Sequence, residues 1–240
     1  MSSKDDGLIL AIGAHPDDIE FGCGAVIYGE TRRGRKAHFV VTSRGEAATN
    51  GTPEQREKES TEAARILGAS IEFVQLDTDS HLELTVEHTI TIARVIRKMR
   101  PSLVLAPTCV ENQHPDHARL GKMVRDAARL ARYGGMKELI GIEPWAIEQL
   151  LFYAVTPNAV PSDCTPLLVD ISDEDVIEKW TAAMKAHQSQ SATRNYIELQ
   201  LTRAKYLGKQ AGVGFASALY PNDPIIVDSL AAIGKGVRRF

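Results

Sequence analysis

Two short strings hold most of the residues able to do chemistry. Ala14-His15-Pro16-Asp17-Asp18 puts one imidazole and two carboxylates within four positions, and His114-Pro115-Asp116-His117 puts two imidazoles around a third carboxylate. His15 and Asp18 are three residues apart, so one helical turn or a tight loop lets both side chains converge while Asp17 points elsewhere. With His117 they make two imidazoles and one carboxylate, the donor set of a catalytic zinc that keeps a fourth position for water. Zinc brings the pKa of water to about 7, which supplies hydroxide at neutral pH. Asp17, held beside the ligands without being one, is the natural general base. His114 remains to stabilise an oxyanion in its protonated form, with Asp116 orienting it from behind. One such string alone is a helix cap before it is a ligand set. Two of them, each after a strand, are harder to dismiss.

The elements that must deliver these strings are legible as alternating runs. Gly7 to Gly13 (G-L-I-L-A-I-G) is a continuous apolar segment of the kind buried on both faces of a parallel sheet, and Ile19 to Gly34 follows as a helix. Strands are expected over Ala37–Ser43, Ile71–Leu76 and Ser102–Ala106, and helices over Pro53–Gly68, Thr85–Arg100 and Ala118–Tyr133. Thr52 is a good N-cap and Gly68 a good stop for the second helix. Four strand–helix alternations predict an α/β fold with a doubly wound, mostly parallel sheet flanked by helices. In such sheets, ligands gather beyond the carboxyl ends of the strands, where both strings fall. Two more strands, Glu148–Val155 and Pro166–Ile171, and helices over Glu174–His187 and Arg194–Gln210 form a less regular tail. No linker or repeat divides the chain, so residues 1–240 read as one domain, with a core over 1–135 and an α/β extension over 136–240.

Bulk properties narrow the function. The 240 residues are 43% hydrophobic and 25% charged, an ordinary globular balance. The net charge of −3 and the lack of a long basic block give no case for nucleic acid as a partner. Leu8 to Ile12 is too short for a signal-peptide core or a membrane span, so no membrane partner is expected. Cys23, Cys109 and Cys164 are odd in number and far apart, which fits a reducing cytoplasm.

Other residues carry weaker signals. Arg44, Glu46, Thr49 and Asn50 share a glycine-bearing loop that suits sugar hydroxyls as well as it suits solvent. Asp79 and His81 lie in the loop after the third strand and point to the same sheet edge. His38 inside a strand and His187 at a helix end read mainly as structural, and Cys23 and Cys109 as packing residues. A metal-dependent phosphoesterase is a weaker alternative, because one metal uses the obvious ligands and no basic cluster awaits a phosphate. A binding protein without turnover is disfavoured by the intact Asp17 and His114.

These residues resemble a known family. His15-Pro16-Asp17-Asp18 with Gly22-Cys23-Gly24, His114-Pro115-Asp116-His117, Thr49-Asn50-Gly51-Thr52-Pro53 with Arg56, Lys58 and Glu59, and Lys185-Ala186-His187-Gln188-Ser189-Gln190 look like the PIG-L/LmbE-like zinc deacetylases. Among subfamilies, the bacillithiol-pathway enzymes look nearest. The resemblance implies a Rossmann-like fold, one Zn2+ per chain (or another divalent metal) on His15, Asp18 and His117, Asp17 as base and His114 at the oxyanion. It implies Arg56 as a substrate contact, to which Glu46, Asn50 and Asp79 are added from their loops. The implied reaction removes the N-acetyl group from an N-acetylglucosamine conjugate of the GlcNAc-malate kind, with amidase action on thiol S-conjugates as an alternative. A cytoplasmic homo-oligomer acting on a small acetylated amino sugar is implied as well. One departure lies at Gly214-Phe215-Ala216-Ser217-Ala218, a region that shapes the pocket in relatives.

Overall fold

The structure is a computed structural model that describes residues 7–111, 114–191, 195–234 and 236. The polar first six residues and Arg194, where a helix was expected to begin, lie outside the described residues. The core is a seven-stranded sheet in the order β3-β2-β1-β4-β5-β7-β6. β1 (Ile9–Gly13), β2 (Ala37–Val41), β3 (Ser70–Phe73), β4 (Leu103–Pro107) and β5 (Gln149–Tyr153) are mutually parallel; β7 (Ala216–Pro221) runs antiparallel to both its neighbours, β5 and β6 (Leu167–Asp170).

β1 explains why its sequence is apolar without alternation. Ile9 and Ala11 pack into one hydrophobic cluster, and Leu10 and Ile12 into the other on the opposite face. Both faces are covered, so both parities of the strand must be apolar. One face is covered by α1 (Asp18–Thr31), α2 (Pro53–Ile66) and α5 (Glu174–Ala186), the other by α3 (Val86–Met99) and α4 (Pro115–Ala131). The order reverses between β1 and β4, and this is the switch point at which a doubly wound sheet opens a crevice.

Local chemistry sets the helix starts that matter here. Thr52 Oγ1 accepts the Gln55 N–H at 3.2 Å, which caps α2 as its sequence suggests. α4 begins at Pro115, three residues earlier than expected, because proline at the first helical position has no N–H to leave unsatisfied. That places His117 in the first turn. Two glycines permit close packing: a Cβ on Gly22 would lie 2.1 Å from the Tyr153 ring, and one on Gly121 would lie 2.3 Å from the Pro107 carbonyl oxygen.

The later chain holds two surprises. After α6 (Gln188–Ser191) and α7 (Tyr196–Ala211), residues 216–221 form β7, which inserts between β5 and β6. The segment expected to shape the pocket is therefore sheet interior. Ala216, Ala218 and Leu219 are buried in the core, and none of residues 214–218 lines the cavity described below. Among the described residues, no helix is long and apolar enough to cross a membrane.

Candidate active site

β1 and β4 are neighbours, so the two reactive strings leave the sheet side by side, although 102 residues separate His15 from His117. His15 Nδ1 lies 3.1 Å from His117 Nε2, His117 Nε2 lies 3.0 Å from Asp18 Oδ1, and His15 Nδ1 lies 3.5 Å from Asp18 Oδ2. Ligand bonds of ~2.0–2.1 Å at tetrahedral angles would set donor atoms roughly 3.3 Å apart. Donor atoms at these separations could hold a metal ion. The Ala14 and His15 N–H groups both donate to Asp18 Oδ2 at 2.9 Å, which fixes that carboxylate.

Charge in the cluster favours a cation. Burial alone would lower the His15 pKa, but Asp18, Asp116 and Asp79 overcome it and hold the imidazole well above its usual value. Burial would raise Asp18, yet His117 and His15 keep it well below the ordinary carboxylate range. His15 Nε2 faces Asp79 Oδ1 at 3.2 Å and Asp116 Oδ2 at 3.3 Å. With two carboxylates at Nε2, Nδ1 is the ring nitrogen that faces Asp18 and His117 and the one a metal ion would take.

Asp116 therefore takes a different partner from the one expected. Its Oδ2 accepts the Ser80 N–H at 2.7 Å and stands 4.0 Å from His114 Nδ1, beyond hydrogen-bond reach. The carboxylate supports His15 and ties the Ser80 loop to α4; it does not orient His114. The expectation of a protonated His114 also meets an unfavourable environment. Burial and the neighbouring His15 and His117 lower its pKa, which keeps it neutral at pH 7. A neutral imidazole still donates one N–H to an oxyanion.

Asp17 sits at the mouth of this group with its backbone at φ 121°, ψ −27°, a conformation that non-glycine residues rarely adopt. Burial raises its pKa to about 6, with Arg56 opposing and Asp18 adding to the rise. Arg56, 3% exposed, donates from Nη2 to Pro16 O at 2.8 Å and to Asp17 Oδ2 at 3.2 Å, and from Nη1 to Gly45 O at 3.2 Å. A Cβ on Gly45 (φ +74°) would fall 1.9 Å from Arg56 Nη1, so only glycine leaves room for the arginine.

A cavity of about 380 Å³ opens over these groups. Arg56 and Asp79 line it, while Glu46 and Asn50 do not. Glu46 braces loops, accepting from the backbone N–H of Arg44 and Asp79 and from Gln75 Nε2. The Asn50 carbonyl accepts from Gln190 Nε2. Asp79, with its pKa lowered to about 2 against the opposing effect of burial, is engaged by His15. His81 bonds the Asp79 carbonyl and lies outside the lining. His38 bonds Ser70 Oγ at 2.7 Å, and the fully buried His187 faces Glu20 at 3.4 Å. The three cysteines are free.

Several lining residues escaped the sequence reading: Phe21, Val155, Thr156, Tyr196 and Gln200. They come from α1, the end of β5 and α7, and only the fold brings them together. Gln190 alone had a signal, as the last residue of the His187-Gln188-Ser189-Gln190 string.

Known proteins resemble this chain. The family described as PIG-L: GlcNAc-PI de-N-acetylase matches residues 10–128. A diacetylchitobiose deacetylase of Thermococcus kodakarensis is 30% identical over 88% of this chain and 81% of its own. A probable N-acetyl-α-D-glucosaminyl L-malate deacetylase of Bacillus anthracis is 27% identical over 80% of this chain and 84% of its own. The crystal structure of a conserved protein from Thermus thermophilus superposes with a TM-score of 0.81 at 32% identity, covering 91% of this chain and 96% of that one. The glucosaminyl-malate enzyme is no nearer than the diacetylchitobiose enzyme, so the identities do not single out the bacillithiol-pathway subfamily. The chain belongs to the PIG-L family and is a deacetylase that hydrolyses an amide bond.

Proposed function

We propose that this enzyme removes the acetyl group from small N-acetylglucosamine conjugates, with Zn2+ held by His15, Asp18 and His117. The observation that carries this reading is the triangle of donor atoms 3.0–3.5 Å apart with Asp17 beside it. The ion supplies a Lewis acid for the acetyl carbonyl and lowers the pKa of water enough for attack at neutral pH.

The remaining chemistry belongs to the chain. Asp17, with a pKa of about 6, accepts the proton of the attacking water and returns it to the departing sugar amine. Arg56 holds the Asp17 carboxylate from behind and keeps it aimed at the cavity. The neutral His114 donates a hydrogen bond to the oxygen that gains charge in the tetrahedral intermediate. Asp116 and Asp79 fix the His15 ring. The substrates that name the two deacetylase relatives share an acetamido sugar and differ in what it is joined to. The shared part suits the cluster at the cavity floor.

The test combines metal content with acetate release. The wild-type protein should carry about one zinc per chain and release acetate from N,N′-diacetylchitobiose or an N-acetylglucosaminyl conjugate. His15→Ala and Asp18→Ala should lose both. Undiminished zinc in both variants would overturn the ligand assignment, and release of phosphate from phosphoesters without release of acetate would overturn the reaction.

A further inference from the structure

The outer half of the cavity differs in kind from its floor. Every Asp, His, Lys or Arg that lines it belongs to the His/Asp cluster or is Arg56. Among the described residues, Arg56 is the one lysine or arginine in the lining, and its guanidinium is bound to Pro16 O, Gly45 O and Asp17. The floor already holds Asp17 and Asp79 and the Arg56 guanidinium is committed, so a carboxylate or phosphate entering above them finds hydroxyl groups and no uncommitted lysine or arginine. An anion brought out of water without a paired cation is disfavoured.

The polar groups above the floor have the opposite preference. Gln200 Nε2 donates to Val155 O at 2.7 Å, and Gln190 Nε2 donates to Asn50 O at 2.8 Å and Ser189 Oγ at 3.1 Å. The reverse amide assignments would press two carbonyl oxygens together, so the nitrogens are the anchored ends. What both amides offer a ligand is a carbonyl oxygen, an acceptor. Thr156 Oγ1 is buried and has no hydrogen-bond partner among the described residues. A sugar hydroxyl donates and accepts, and so it satisfies all three; a carboxylate only accepts. Phe21 and Tyr196 meet edge to face with centroids 6.3 Å apart, forming an apolar wall beside these groups.

Resting on the deacetylase reading, we infer that the outer cavity selects an uncharged, hydroxyl-rich aglycone, a further sugar of a short glycan, through Gln190, Gln200 and Thr156. Aglycones that carry carboxylate or phosphate groups are disfavoured.

The zinc-loaded enzyme is assayed for acetate release from N,N′-diacetylchitobiose and from N-acetyl-α-D-glucosaminyl L-malate. The disaccharide should have the higher kcat/KM by about tenfold or more, the scale of one hydrogen bond to a charged group that the malate lacks here. Thr156→Val keeps the shape and should raise KM for the disaccharide about three- to tenfold with little change in kcat, as loss of one neutral hydrogen bond requires. Gln190→Lys adds the missing cation and should narrow the preference about tenfold through a lower KM for the malate conjugate. Equal or better turnover of the malate conjugate by the wild type overturns the selectivity and leaves the deacetylase reading standing. Acetate from neither substrate overturns both.

Discussion

At the scale of single residues, the two halves of the chemistry separate by substitution. Asp17→Asn keeps size and removes the base, so the metal should stay bound while kcat falls by roughly 10²–10⁴. The working form of Asp17 is the carboxylate, and burial raises its pKa to about 6. kcat/KM should therefore be level above about pH 6 and fall as pH drops through that value; a wild-type profile with no acid limb there would remove Asp17 from the role. His114→Ala should lower kcat by about 10²–10³, the usual effect of one oxyanion donor, with KM and metal content little changed. Because its surroundings lower the His114 pKa, the donor acts neutral, and no alkaline limb should appear between pH 6.5 and 8 from loss of an imidazolium proton. Asp116 shows where sequence reasoning reaches its limit. Its adjacency to His114 and His117 was plain, but its direction toward His15 and Ser80 depends on how two loops meet across the crevice.

Elements carry these residues and limit how far they shift. Gly121 lets α4 lie against the end of β4, because a Cβ would meet the Pro107 carbonyl at 2.3 Å. Gly121→Ala should destabilise the protein by about 1–3 kcal/mol, as overpacking does, and should weaken metal binding because α4 carries His117. Chemical denaturation and a zinc titration of the same variant check both parts; weakened folding with unchanged zinc affinity would detach His117 from the position of α4. The parallel half of the fold was readable for a physical reason. Strands buried on both faces, such as Ile9–Gly13 and Leu103–Pro107, write themselves as unbroken apolar runs, and Thr52 and Pro53 mark a helix start without any tertiary help. β7 was not readable, since Ala216–Pro221 is short, is small-residue-rich and becomes a strand only between β5 and β6. The cavity wall failed for the same reason: Thr156 and Gln200 are neighbours only through the pairing of distant segments.

For the molecule as a whole, the proposed ligands belong to two sheet segments that are adjacent in space and far apart in sequence, so a bound ion would join the two sides of the switch point. Removing it leaves Asp18, Asp79 and Asp116 gathered around one imidazole. A ligand at 100-fold over its Kd adds about 2.7 kcal/mol to stability, which for a chain of this size corresponds to roughly 5–10 °C in Tm. Dialysis against a chelator should therefore lower Tm by that order and abolish acetate release, and zinc should restore both. A Tm indifferent to chelation would mean that the cluster is satisfied by protons alone.

The backbone at Asp17 has a consequence of its own. Its φ of 121° is one that a Cβ opposes, and such residues store on the order of 1–3 kcal/mol each. Asp17→Ala and Asp17→Gly both remove the carboxylate and its contact with Arg56, but only glycine relaxes the chain at this position. The glycine variant should therefore melt above the alanine variant by a few degrees while both stay inactive. The difference in melting temperature between the two inactive variants then reads the backbone strain at residue 17 apart from its chemistry, and equal melting temperatures would show that the strain costs the fold nothing.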